Sequence, residues 1–337
     1  MRKAIVGFFF LAMLLALPLS AHAQQTVRIG LLMTYTGQFT DAAAQMDDGI
    51  KLFMKQHGHV VAGKKIELIR KDTAGAPDQA KRLAQELLVN DHVDILAGFV
   101  ITPEALAVAE LATEAKKLMV VMNAATSIIT LKSPYIVRSS LTLPQNCEAL
   151  GTWAFHNGVK KVFTLVSDYA PGLDAESSFR RAFTAAGGQV IGSARVPLAN
   201  PDFSAFVQRA KDSGADGIFV FVPGGSQPVA LAKALVERRM DPSKIKLMGQ
   251  GELADESALK AMGDAAIGII TAFHYDYTHD SSENKAFVAA YNAKFKRNPD
   301  FFSVGGYDGM HLIYEGLKKT GGKADGDSLI RAIKGMR

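Results

Sequence analysis

The sequence predicts an α/β fold with parallel sheets covered by helices, arranged in two lobes. Three observations predict it. Strand-length apolar runs alternate with amphipathic helical stretches through most of the chain, the pattern of a doubly wound parallel sheet. The alternation lapses around residues 133–144 and then restarts, which divides the pattern in two. A chain of 337 residues with 48% hydrophobic content is also large enough to bury a core in each half.

Residues 1–23 have the make-up of a secretory leader. Arg2 and Lys3 precede the apolar run Ala4–Leu17, Pro18 follows, and Ala21-His22-Ala23 is a small-x-small cleavage pattern. Cleavage after Ala23 is expected. A membrane anchor is the poorer reading, because the apolar run is short and ends in that pattern. The single cysteine, Cys147, lies far from the cleavage site, so it carries no lipid there, and it has no intramolecular partner. An exported chain of this size without disulfides points to a bacterial periplasm. The net charge of +5 comes from scattered residues, so no basic footprint for nucleic acid is present.

The first strand is expected at Val27–Met33, then a turn, Thr34–Gln38, and a helix over residues 41–57. Lys65–Arg70 alternates polar and apolar residues as a half-covered strand does. Ala80, Leu83, Ala84, Leu87 and Leu88 mark one face of the next helix. Val93–Gly98 reads as a buried strand. Thr102-Pro103-Glu104 opens a helix with Thr102 as N-cap and Pro103 at N1. Leu118–Met122 is the following strand, closed by the polar turn Asn123–Ser127. Parallel strands place both carboxyl-end turns on one edge, where open α/β sheets bind small ligands. Half of a small-molecule site is expected there, with the free amides of the helix start available to an anion. Taken locally, the simpler reading is favoured: Thr102 only caps its helix and Thr126 only closes a turn.

After the connector Ser139–Thr142 the pattern resumes with a helix over residues 145–156. Strands follow at Val162–Val166, Gln189–Val196, Gly217–Val222, Ile245–Met248 and Ile267–Thr271, with helices over 173–186, 203–213, 227–239 and 256–262. Phe273–Thr278 reads as a second connector. Three helices follow: one carrying Phe287, Tyr291 and Phe295, one over 304–318, and one from Asp327. No terminal strand closes the chain, so the C-terminal end of the second lobe is expected to lie beyond Arg337.

No catalytic or metal-binding constellation emerges. His274 and His279 flank Asp276 at a spacing that fits no usual metal motif. Ser167 lacks the nucleophile elbow and Cys147 has no neighbouring histidine. Gly249-Gln250-Gly251 begins like a dinucleotide fingerprint but lacks its third glycine and distal acid. What recurs is polar or aromatic residues at strand carboxyl ends. In two facing lobes these would line one cleft.

Several of these stretches together resemble the periplasmic leucine/isoleucine/valine-binding family, the type I solute-binding proteins of ABC importers. They are the leader, Ile29-Gly30-Leu31 with Thr36-Gly37, Asn123-Ala124-Ala125-Thr126, Asp168-Tyr169 with Gly172, and Met248-Gly249-Gln250-Gly251. Their order and spacing fit over residues 26–337. The resemblance implies two Rossmann-like lobes joined by three crossings and closing on a hinge. Residues 24–140 with 275–337 would form the first lobe and 141–274 the second. It also implies a non-enzymatic role without a cofactor: capture of a small carboxylate-bearing ligand and delivery to a membrane permease. The chain is expected to act as a monomer.

Carried over from the family, Thr102, Ala124 and Thr126 hold the ligand carboxylate and Tyr169 closes on it from the second lobe; Tyr35, at the end of the first strand, is expected to help Tyr169 cover the apolar body. Ser226, Gln250, Gly251 and Glu252 complete the second-lobe wall. The sequence departs from the family there. Gln250-Gly251 stands where an acid would pair with an α-ammonium, and the nearest acid is Glu252. The Gly-Gly segment before Ser226 lacks the aromatic residues of branched-chain binders. The ligand is a branched-chain or other amino acid if Glu252 reaches an ammonium, or an aromatic acid if amino-group recognition is lost. A ligand-binding sensor subunit is the alternative role. An exported hydrolase would need a nucleophile–base pair that the sequence lacks.

Overall fold

The computed structural model describes residues 25–334 and 336, so the leader expected over residues 1–23 lies outside the described part. The first sheet is built from β1 (Thr26–Met33), β2 (Val60–Val61), β3 (Lys64–Asp72), β4 (Ile95–Gly98), β5 (Leu118–Val121) and β6 (Ile136–Arg138). Their order is β2-β3-β1-β4-β5-β6, parallel except for β2 against β3. Helices α1 (Thr40–His57), α2 (Pro77–Val89) and α3 (Thr102–Glu114) make the crossovers. Side chains alternate across the pleat: Ile29, Leu31, Ile95 and Val120 face one helical layer, Leu32, Leu96, Met119 and Val121 the other. Burial on both faces is why these strands read as unbroken apolar runs.

The second sheet, in the order β11-β10-β9-β7-β8, is parallel throughout. It comprises β7 (Lys161–Ser167), β8 (Gln189–Val196), β9 (Gly217–Phe221), β10 (Lys246–Gln250) and β11 (Ile270–Ala272). Its helices are α4 (Leu143–His156), α5 (Ala170–Ala185), α6 (Ser204–Asp212), α7 (Ser226–Glu237) and α8 (Glu256–Met262). The chain then returns to the first sheet through α9 (Ser282–Phe295), α10 (Phe301–Lys319) and α11 (Gly326–Ile333). Phe301, Met310, Ile313, Leu317 and Leu329 of this return share a core with Ile29 and Val120.

Three local readings change. The hairpin β2–β3 turns on Ala62 (φ 48°) and Gly63 (φ 76°), both left-handed, a two-residue turn that Ala-Gly signals less clearly than Asn-Gly. Strand β10 runs on to Gln250, because Gly249 and Gln250 pair with β11 and Gly249 also pairs with β9. Strand β11 starts only at Ile270, after a 3₁₀ turn at Gly263–Ala266 and a left-handed Gly268 (φ 88°). Apolar residues alone did not reveal either boundary.

Candidate functional site

The carboxyl ends of β4 and β5 form one wall of a cleft between the two sheets. Gly98 (φ 109°) ends β4, and a Cβ there would lie 2.5 Å from the Leu32 carbonyl. Phe99, fully buried, follows in a left-handed conformation (φ 67°) that costs free energy for any residue but glycine. The kink sends Val100 and Ile101 into the cleft and starts α3. Ile101, not Thr102, is the N-cap of that helix, and no side chain caps it. The Thr102 hydroxyl is therefore free to reach Thr126 Oγ1, 2.7 Å away, in a pair that is almost completely buried.

The Asn123–Thr126 turn is held from behind. The Arg138 guanidinium donates to the Ala124, Leu141 and Thr126 carbonyls at 3.0, 2.8 and 2.7 Å. Burial pulls this guanidinium down to about 10, although Asp174 favours its charge. Asn123 Nδ2 donates to the Val100 carbonyl at 2.7 Å, tying the two turns together. The Ala124 amide donates to the Phe99 carbonyl at 3.0 Å, so it is not a free donor for a ligand. Among the described residues, the Ala125 and Thr126 amides have no such acceptor. Two hydroxyls, free turn amides and a helix start thus converge on one end of the cleft, an arrangement suited to an anion.

The opposite wall comes from the second sheet. Tyr169 precedes α5, and its ring lies 6.2 Å from Phe221 at the end of β9. Burial, then the neighbouring Glu252, push its phenol well above the ordinary range. Glu252 is buried and accepts the Gly224 amide at 3.0 Å from Oε2. Burial pushes its carboxyl up, the Gly224 amide pulls it back and Asp255 adds to the rise, for a value of about 7. The space between these walls measures about 350 Å³ when its open mouth is counted. Phe39, Tyr169, Phe221, Phe302, Pro171 and Pro223 supply its apolar lining. Glu252 is the one ionisable group other than Tyr169 among its described lining residues, which include no cation.

Of the residues expected from the sequence, Thr102, Ala124, Tyr169 and Glu252 line this cavity, with Thr126 bonded to Thr102 at its edge. Four lie elsewhere. Tyr35 packs on the first core, its hydroxyl buried near Asp47 and Arg70, and it is not among the residues that line the cavity. Ser226 is exposed at the start of α7. Gln250 accepts the Glu252 amide at 2.8 Å and so fixes the turn that carries Glu252. Gly251 abuts the Phe273 ring, whose Cγ would stand 2.1 Å from an added Cβ. Sequence reasoning missed Phe39, Phe221 and Phe302. Phe221 and Pro223 could have been found, since they end a strand on the ligand edge; Phe302 reaches the cleft from a distant helix without any local signal.

The cleft is closed at its flanks by contacts between its walls. Asp174 on α5 accepts the Ser127 amide at 2.8 Å and the Ser127 hydroxyl at 3.1 Å. Gly225 (φ 94°) approaches Gln38 so closely that a Cβ would lie 2.7 Å from its carbonyl oxygen.

A family profile described as periplasmic binding protein matches residues 26–337. A Leu/Ile/Val-binding protein homolog of Brucella melitensis is 45% identical over 325 residues, covering 95% of this chain and 83% of the relative. A solute-binding protein of an ABC transporter from Rhodopseudomonas palustris BisB5, solved with 3,4-dihydroxybenzoic acid, superposes with a TM-score of 0.89 at 56% identity, over 92% of this chain and 85% of the other. Another from R. palustris, solved with 4-hydroxybenzoate, gives 0.88 at 42% identity, over 93% and 86%.

Proposed function

The chain belongs to the periplasmic binding protein family, as a solute-binding protein of an ABC transporter, and on that premise we propose that its ligand is a single-ring aromatic carboxylate. The observation that carries this reading is the lining of the cavity, with anion donors at one end and aromatic and proline walls around the rest. The carboxylate would take hydrogen bonds from Thr102, Thr126 and the turn amides, while Phe39, Tyr169, Phe221 and Phe302 cover the ring. The aromatic acids bound by the two R. palustris proteins support the same class.

Residues 24–140 with 275–337 act as one lobe and 141–274 as the other, moving about the connectors at 139–142 and 273–277. The leader is removed after Ala23, the mature monomer works in the periplasm, and the closed form delivers its ligand to a membrane permease. Closure follows from ligand contacts made only when the walls meet, since a ligand binding both states equally would shift nothing.

Thermal unfolding of the mature protein with benzoate, hydroxybenzoates and leucine tests the ligand class. An acid at about 100 times its dissociation constant adds roughly 2.7 kcal/mol of stability, a rise of several degrees. A shift with leucine and none with the aromatic acids would return the protein to the branched-chain reading.

A further inference from the structure

We infer that Glu252 sets the specificity of this cleft: its free carboxyl oxygen receives a ring hydroxyl placed meta or para to the ligand carboxylate. The inference rests on the aromatic-acid reading above and adds which acids are preferred. Glu252 lines the cavity yet is only 7% exposed. One donor within the protein reaches its carboxyl, the Gly224 amide at Oε2; Oε1 has none among the described residues. Oε1 is therefore open to a hydrogen bond from a molecule in the cavity, within a side chain that is otherwise shielded from water.

Position then decides which hydrogen bond. The anion donors follow β4 and β5 of the first sheet, whereas Glu252 follows β10 of the second, on the opposite wall. A ligand held by its carboxylate therefore turns the far edge of its ring to Glu252. A hydroxyl ortho to the carboxylate stays at the anion pole and bonds the carboxylate internally.

The groups around Glu252 make this recognition depend on protonation. Tyr169 faces it from the head of α5 and Asp255 from the head of α8, with Asp41 and Asp300 beyond Asp255. The β9–α7 turn and α10 present Phe221, Pro223, Gly224 and Phe302. None of these is basic. An anionic ligand in the same cavity disfavours a second charge, so above about pH 7 binding takes up a proton and affinity falls by up to about tenfold per pH unit.

The test is calorimetric titration of the mature protein and its Glu252→Leu and Glu252→Gln variants with benzoate, 2-hydroxybenzoate, 4-hydroxybenzoate and 3,4-dihydroxybenzoate. The unaltered protein should bind 4-hydroxybenzoate roughly 10- to 100-fold tighter than benzoate, and 2-hydroxybenzoate no better than benzoate. Glu252→Leu should bring the ratio of 4-hydroxybenzoate to benzoate affinity near one. Glu252→Gln should keep the preference and lose the fall above about pH 7, measured below the pH at which the phenol itself ionises. An unchanged ratio in Glu252→Leu overturns the role of Glu252 while the aromatic-acid reading stands. Should that variant not fold, an unchanged pH profile in Glu252→Gln overturns it instead. Binding of leucine with no aromatic acid bound removes both readings.

Discussion

Thr102 and Thr126 show how much a single hydroxyl pair decides. At 2.7 Å one Oγ–H is spent between them and the other remains for a ligand, beside amides that the fold leaves unpaired. Thr126→Val removes one hydroxyl at nearly constant volume. Carboxylate affinity should fall roughly 10-fold or more, the worth of a hydrogen bond to a charged group, and the free protein should lose about 1–3 kcal/mol because the buried Thr102 hydroxyl loses its partner. Calorimetry and thermal unfolding of the same sample check both halves, and unchanged affinity would remove the hydroxyl pair from the anion pole. Thr126 and Thr102 were legible because turns after parallel strands share an edge. Tyr35 and Ser226 lie outside the cavity lining for a physical reason: a turn residue's position in sequence does not say whether its side chain points along the strand or back onto a core.

At the scale of elements, the return of the chain onto the first sheet depends on glycine contacts. Helices α1 and α10 cross so closely that a Cβ on Gly49 would stand 1.9 Å from the Ser303 carbonyl oxygen, and one on Gly306 2.1 Å from that of Met46. Gly305 meets the Met122 carbonyl in the same way, at 2.1 Å, just before the Asn123–Thr126 turn. The backbones of α1, α10 and the binding turn are therefore packed without side chains between them. Gly306→Ala should destabilise the protein by about 1–3 kcal/mol or more, the cost of forcing volume into a filled core. Chemical denaturation reads this directly, and a variant as stable as the parent would mean that the crossing can relax. The helices themselves were legible from apolar spacing. Their glycines were visible too, but only the crossing explains why a bulkier residue is excluded.

At the scale of the whole molecule, Asp174 links the walls of the cleft. It is carried by α5 and accepts both the amide and the hydroxyl of Ser127 from the other side. If the walls part in the ligand-free state, these bonds belong to the closed form alone. Asp174→Ala should then lower affinity about 5- to 30-fold, equivalent to roughly 1–2 kcal/mol, without altering contacts to the ligand. Solution scattering should show a more expanded protein at a ligand concentration that closes the parent. Unaltered affinity would mean that Ser127 and Asp174 do not help to hold the closed form.

The sequence by itself determined the architecture, because two parallel sheets buried on both faces leave a repeated trace of apolar strand and amphipathic helix. It also placed the turns after β4 and β5 on one edge, since parallel strands end together. The opposite wall was decided only by tertiary structure. Glu252 reaches the cleft because Gln250 caps its turn, and Phe39 and Phe302 meet there because α1 and α10 cross on glycine. Contacts between residues so far apart in the chain leave no local periodicity, and it is these contacts that shape the space offered to the ligand.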